Sequence, residues 1–368
     1  MRIGIPNEIK EQESRVGLTP AAVAELVTLG HQVSVESNAG AGIDLFDEDY
    51  ASAGARIVSS PSQLYGESDL IVKVKEPLPS EIALLEPRHT LFAYLHLAAD
   101  RAQAEGLLKS GATCLAYETV TDRRGALPLL RPMSEVAGRM AIQVGAHLLE
   151  KQPGGRGILL SGVPGVEPGR VVILGGGVSG LNAAHIAVGM RADVVILDIS
   201  VQRLTELDEI FLGRVRTAYA SRAAIADAVK NADLVIGAVL VPGAAAPRLV
   251  TRDMLPTMKR GAVLVDIAVD QGGCFESTRP TTHENPTFVE QGVVHYCVGN
   301  MPGGVARTST FALVHATLPY VLRLAGLGAD RAMAADPGLA NGLNVHAGAI
   351  THRAVAEALP GLPTHFTS

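Results

Sequence analysis

Arg170-Val171-Val172-Ile173-Leu174-Gly175-Gly176-Gly177-Val178-Ser179-Gly180, followed by a helical run and then Asp193-Val194-Val195-Ile196-Leu197-Asp198, decides how this chain folds. The order of the parts matters more than the glycines. An uncharged strand over Val171–Leu174 runs straight into Gly-x-Gly-x-x-Gly, so the backbone must turn tightly where a phosphate can approach it. Leu181–Met190 can then form a helix whose N-terminal amides and dipole face an anion. The second strand, Asp193–Leu197, delivers a carboxylate about 18 residues beyond the last glycine, where a ribose hydroxyl would be held. A bare Gly-x-Gly-x-x-Gly also suits an ordinary strand-to-helix turn. Strand, helix, strand and terminal acid together predict a dinucleotide site built on Gly175, Gly177, Val178, Gly180 and Asp198. A carboxylate at Asp198 accepts from the adenosine ribose and repels a 2′-phosphate, which favours NAD over NADP. Arg203, a turn further on, is the cation nearest this point in sequence and is counted with the cofactor contacts.

Three hundred and sixty-eight residues exceed one comfortable core and suit two α/β domains. Tryptophan is absent and aromatics make up only 4%, so Val, Ile, Leu and Ala must build the interior, as in parallel sheets covered on both faces. A net charge of -6 without a Lys/Arg cluster gives nucleic acid no basic face. Cys114, Cys274 and Cys297 are scattered and odd in number, which argues for a reducing compartment. Met1-Arg2-Ile3-Gly4-Ile5-Pro6 reads as a first strand and not as a signal peptide. The apolar stretch Leu234–Pro247 is broken by Gly237, Pro242 and Gly243, so it is not expected to span a membrane. A soluble cytoplasmic protein is the expectation.

Strand-like runs at Ile3–Pro6, His31–Glu36, Leu70–Lys75, Thr90–Leu95 and Thr113–Tyr117 alternate with helical spacing at Pro20–Leu29 and Arg101–Ser110. This first region is doubly wound but has no phosphate fingerprint, so it is the candidate substrate half. Ser134–Glu150 reads as one long helix capped by Ser134. After Asp198 the alternation predicts a helix at Ser221–Val229, a strand at Leu234–Gly237, a helix at Arg252–Met258 and strands at Ala262–Ile267 and Val293–Val298. Helical patterns return at Thr310–Ala325 and Val345–Leu359. The simplest arrangement has two doubly wound domains. A Rossmann NAD-binding domain (131–304) is inserted into a Rossmann-like substrate domain that begins with 1–130 and is completed by 305–368.

Ligands of doubly wound sheets bind beyond the carboxyl ends of strands. Lys73 and Lys75 close the strand from Leu70, His96 closes the strand Thr90–Leu95, Asp270 closes the strand Ala262–Ile267 after a short extension, and Arg15 lies in the loop after the first strand. Each has a plain reading: a solvated strand end, a core histidine, a turn, a surface cation. Taken together they supply a guanidinium for bidentate carboxylate binding, a lysine for a carbonyl oxygen, an imidazole that titrates near neutrality and a carboxylate. That set suits a small α-amino or α-keto acid beside a nicotinamide. His346 and His352 are six apart and lack helical metal spacing, so no metal is expected.

At these residues the chain resembles the alanine dehydrogenase/pyridine nucleotide transhydrogenase family, specifically its bacterial alanine dehydrogenases, over nearly its full length. The likeness runs through Arg2–Pro6 with Arg15-Val16 and Thr19-Pro20, Lys73-Val74-Lys75-Glu76-Pro77 and Leu95-His96-Leu97-Ala98. It continues through Met133–Arg139, Asp266–Gly273 and Asn300-Met301-Pro302. The resemblance implies NAD-dependent oxidative deamination of L-alanine to pyruvate and ammonia, the reverse amination, and commonly a homohexamer. It also implies roles. Arg15 would grip the substrate carboxylate, Lys75 would bind its oxygens, and Met133 would lie near the methyl. His96 and Asp270 would form the acid/base pair. Ser134, Val239, Ile267 and Asn300 would join the fingerprint residues around the cofactor. Ala220 departs from a serine found in relatives, and Gly303-Gly304 is richer in glycine than usual. The transhydrogenase nucleotide-binding subunit shares this ancestry, but its counterparts of Lys75 and His96 are typically other residues. A non-catalytic NAD-binding regulator would not need the Arg/Lys/His/Asp set.

Overall fold

The computed structural model describes residues 1–239 and 246–366. Pro242 and Gly243, two of the breaks in the apolar stretch noted above, lie outside the described residues, as does Ser368. The chain divides into two compact units, one of residues 1–133 with 305–368 and one of residues 134–304.

In chain order the strands are β1 Arg2–Ile5, β2 Gln32–Glu36, β3 Arg56–Val58, β4 Leu70–Val72, β5 Thr90–Ala93, β6 Thr113–Ala116, β7 Arg170–Leu174 and β8 Asp193–Asp198. They continue with β9 Arg216–Tyr219, β10 Leu234–Gly237, β11 Val263–Asp266, β12 Thr287–Glu290, β13 Val293–Tyr296, β14 Leu343–His346 and β15 Ala349–Ile350. The first unit orders its eight strands β15-β14-β6-β5-β4-β1-β2-β3, and the second orders seven as β12-β13-β11-β10-β7-β8-β9. β1 to β6 are mutually parallel, as are β7 to β11 with β13; β14, β15 and β12 are antiparallel additions at edges. Each sheet therefore reverses its strand order once, between β1 and β4 in the first unit and between β7 and β10 in the second. Such a reversal is where crossovers part to opposite faces and leave a crevice.

The interior follows from the composition. Val171, Val172, Ile173 and Leu174 are fully buried, as are Leu234, Val235 and Ile236, so β7 and β10 are covered on both faces. Small residues set the spacing: Ala183, Ala184 and Ala187 of the helix Val178–Gly189 lie in the same core as Val171 and Ile173.

Several elements differ from the sequence expectation. The long helix begins at Arg131, so Ser134 sits inside it and does not cap it. Pro132 suits the first turn, where its missing N–H costs no bond. Arg252–Met258 is not a helix. It contains a 3-10 turn at Leu255–Thr257, with Pro256 removing a donor a helix would need. Val345–Leu359 divides in two: its start is a hairpin, in which Ala347 and Gly348 both have positive φ, the signature of a two-residue turn, and Arg353–Ala358 is helical as expected. A helix at Val201–Phe211 and strand β9 complete the second unit without having been anticipated.

Met301–Leu327 is long and apolar enough, by composition alone, to cross a membrane. Its polar residues Ser309, Thr310 and Thr317 are buried within the protein, and Thr310 accepts from the amide of Val16. It is a core helix of the first unit.

Candidate active site

In the second unit the fingerprint glycines divide three tasks. Gly175 has φ +98°, a left-handed conformation that L side chains rarely adopt, and a Cβ there would lie 2.9 Å from Ala238 O. At Gly180 a Cβ would lie 1.9 Å from Gly175 O, so glycine lets the helix start press against the strand end. Gly177 has φ -64° and no heavy atom within 4 Å of its would-be Cβ. Neither strain nor crowding requires glycine there. The space stands at the first turn of the helix beginning with Val178, where the N-terminal amides of a helix favour an anion. The sheet reverses its order here: Val239, just beyond β10, brings its Cγ2 within 2.9 Å of the position a Gly175 Cβ would take.

Asp198 ends β8 and is pinned by the backbone. Its Oδ2 accepts from Gly176 N at 2.7 Å and its Oδ1 from Ser200 N at 2.8 Å. Arg203 is drawn into the same turn, its Nε donating to Gly176 O at 2.6 Å and its Nη1 to Glu206 at 2.6 Å. Ser134 shares a helix face with Gly138, four residues on. A Cβ on Gly138 would lie 2.2 Å from Ser179 O, so this helix runs against the fingerprint turn.

Beyond β11 the chain is organised by Asp266, which sequence reading passed over as a strand residue. It is fully buried, and its carboxylate accepts from Ala268 N, Cys274 N and the Thr278 hydroxyl. Burial pushes its carboxyl above the ordinary aspartate value, partly countered by those donors. Ile267 N donates to Gly237 O at 2.9 Å. Asp270 does not close a strand: it stands in the short turn Val269–Gln271, exposed, with Oδ2 accepting from Asn300 N at 3.2 Å. Asn300 itself is left-handed, with φ 53°. The structure thus joins two residues 30 apart in sequence.

In the first unit Arg15, Lys75 and His96 follow β1, β4 and β5, neighbours around the reversal of that sheet. Arg15 is 2% exposed, and its fork is held bidentately by Glu13, Nε to Oε1 at 2.7 Å and Nη2 to Oε2 at 2.5 Å. Its Nη1 reaches Met133 Sδ at 3.2 Å. Burial works against this charge, but Glu13 leaves the Arg15 pKa above its ordinary value. Lys75 and Lys73 part company. The strand stops at Val72, and Lys73 is buried between Glu8 at 3.2 Å and Glu81 at 2.5 Å. The Lys75 side chain is 12% exposed, with its ammonium 3.9 Å from Glu76. The first lysine is enclosed by two carboxylates, and the second retains a little solvent access.

His96 has φ 48° and ψ 35°, left-handed for a residue with a Cβ. Its ring lies parallel to Tyr94, with 4° between planes and centroids 5.8 Å apart, and remains largely exposed. Tyr94 OH donates to Leu129 O at 2.6 Å, and burial raises its pKa. Glu118, also missed by sequence reading, accepts from the amides of Leu95 and His96. Among the described residues no group of three or more His, Cys, Asp or Glu is arranged to hold a metal ion.

Two family models match, "Alanine dehydrogenase/PNT, N-terminal domain" over residues 4–137 and "Alanine dehydrogenase/PNT, C-terminal domain" over 141–353. The chain is 58% identical to an alanine dehydrogenase of Halomonas elongata over 358 residues, covering 97% of this chain and 96% of that one. A solved L-alanine dehydrogenase superposes with a TM-score of 0.95 at 52% identity, covering 98% and 99% of the two chains. A transhydrogenase from Sinorhizobium meliloti superposes less closely, with a TM-score of 0.82 at 25% identity over 96% of this chain and 100% of that one.

Proposed function

The chain belongs to the alanine dehydrogenase/PNT family, and from that premise we propose that it is an L-alanine dehydrogenase, converting L-alanine, NAD and water to pyruvate, ammonium, NADH and a proton, and back. Identity of 58% to an alanine dehydrogenase, against 25% to the transhydrogenase structure, favours amino-acid chemistry over nucleotide-to-nucleotide hydride transfer. The observation that carries the reading at the level of chemistry is the set Arg15, Lys75 and His96 beyond neighbouring strands of a sheet that has no phosphate turn. A regulator that merely binds NAD has no use for such a set.

Residues 134–304 take the cofactor and the other unit takes alanine. NAD, when bound, would supply the acceptor for the hydride on the alanine Cα. Arg15 holds the substrate carboxylate, and Met133 beside it meets the methyl. The resulting iminium carbon is attacked by water, and the carbinolamine then expels ammonia. Water must lose a proton and the departing nitrogen must gain one, so two titratable groups are needed, and His96 and Asp270 supply them. Lys75 stabilises the negative charge growing on the substrate oxygen. Ser134, Val239, Ile267, Asn300 and Arg203 line the nucleotide alongside Asp198 and the glycine turn. Cytoplasmic residence accords with three free, buried cysteines whose thiols burial pushes up to about 12. A homohexamer is the assembly the resemblance implies.

The test is NADH production from L-alanine, with serine and glycine as controls, in the parent protein and in His96→Ala and Asp270→Asn. Alanine-dependent turnover in the parent, and its loss in both variants with NAD binding intact, is the expected result. A parent that reduces no NAD with alanine removes the assignment. Near-parent turnover in either variant removes that residue's role.

A further inference from the structure

We propose that Glu118 is a positioning residue for His96, fixing the left-handed backbone from which the imidazole is presented. The inference rests on the assignment of His96 to proton transfer. Glu118 lies in the turn Tyr117–Thr119 that follows β6, and β6 is the neighbour of β5. Its carboxylate spans two consecutive amides. Oε1 accepts from His96 N at 2.6 Å and from Leu95 N at 3.2 Å, and Oε2 also lies 3.2 Å from Leu95 N. The imidazole is not the main partner, since His96 Nδ1 stands 3.9 Å from Oε1.

The geometry explains why such a device is needed. At the end of β5 the amides of Leu95 and His96 leave the ladder, and unpaired amides are costly where the chain is buried, as Leu95 is. A left-handed residue 96 turns the chain into the short turn Leu97–Ala99 and towards the helix Arg101–Ser110. If residue 96 stayed extended, the strand would run on and its side chain would leave on the opposite course. For a residue with a Cβ the left-handed conformation is disfavoured by itself, so something must over-determine it. Glu118 does so from the backbone side, and the parallel Tyr94 ring holds the imidazole face. With its side chain only 16% exposed, the carboxylate is held close to these amides by the fold.

Glu118→Ala removes both acceptors, whereas Glu118→Gln keeps an oxygen able to accept from both amides and loses only the charge. In alanine oxidation E118A should lower kcat roughly 10- to 100-fold, the cost of displacing a catalytic group by about an ångström, with KM for alanine and NAD changed by less than about threefold. E118Q should return kcat to within about threefold of the parent. Crystal structures should show residue 96 leaving the left-handed region in E118A and keeping it in E118Q. The proposal is overturned if E118A keeps parent kcat, if its loss lies in KM, or if E118Q is as impaired as E118A. Retention of a positive φ at His96 in E118A overturns it whatever the kinetics. His96→Ala, assayed alongside, separates the failures. An active H96A overturns the role of His96 and this inference with it, while an inactive H96A beside a fully active E118A overturns this inference alone.

Discussion

Gly177→Ala tests the reading of the nucleotide turn most directly, because the structure separates its effect on binding from any effect on folding. The would-be Cβ has no heavy atom within 4 Å, and φ of -64° is open to alanine. Stability should therefore change by less than about 0.5 kcal/mol, as for surface substitutions. The methyl, however, occupies the approach to the amides at the start of the helix Val178–Gly189. Charge-assisted bonds from such amides are worth about 1.5–3 kcal/mol each. Losing the equivalent of one, about 1.5–3 kcal/mol, weakens NAD roughly 10- to 150-fold. Gly180→Ala is the contrasting variant. Its Cβ would lie 1.9 Å from Gly175 O, so helix and strand must separate. Overpacking of that kind costs about 1–3 kcal/mol, and stability and binding should fall together. Titration calorimetry with NAD and thermal denaturation of both variants check this. Parent-like NAD affinity in Gly177→Ala, with its melting temperature unchanged, would refute the placement of the pyrophosphate.

Arg15→Met strips the buried Glu13 carboxylate of its guanidinium and should cost about 3–5 kcal/mol in urea denaturation, most of it recovered by adding Glu13→Leu; equal stability of the single variant and the parent would contradict the pairing. Asp198→Ala removes the acceptor for Gly176 N and Ser200 N, and should narrow the preference for NAD over NADP by about tenfold or more in steady-state kinetics. His89 accepts from Glu86 N through Nδ1 and donates to Tyr65 O through Nε2, while His295 accepts from the Ser277 hydroxyl and donates to Val293 O. Burial, the largest cause, lowers both pKa values from the ordinary 6.5. The unfolded chain therefore binds protons that the native one refuses. Stability is full above about pH 6.5 and declines as pH falls below it. Melting temperatures from pH 7.5 to 5 should show that decline, and His89→Gln should flatten it; an equal slope in the variant counts against His89 as a contributor.

What the sequence made legible was what the backbone demands. The fingerprint can be read because Gly175 and Gly180 answer to steric requirements that leave almost no alternative residue. Lys73 and Lys75 were harder: two lysines two apart look alike on paper, and only the end of β4 at Val72 with the Glu8 and Glu81 carboxylates separates the enclosed one from the one that retains a little solvent access. The motif Glu13-Ser14-Arg15 disclosed an arginine but not that the glutamate already grips it. Glu118 and Asp266 went unnoticed because side chains that satisfy backbone amides leave no period and no composition signal. The error at the start of 345–359 has the same root: apolar spacing carries no mark of the Ala347-Gly348 turn that makes a hairpin there.

The divided first unit has a consequence for biogenesis. Its sheet pairs Leu115 of β6 with Leu343 of β14, so the ladder stays incomplete until the last part of the chain is made. Residues 134–304, by contrast, form a compact unit of their own and are complete earlier in synthesis. At roughly 5–20 residues per second, translating from 305 to the end of β14 at His346 takes about 2–8 s. Throughout that interval β6 is a bare parallel edge on the nascent chain, which is the kind of template that chaperones shield and neighbouring chains invade. Stop codons or stalls after residue 304 should therefore yield a protein that aggregates through β6, even though every fingerprint residue has already been made.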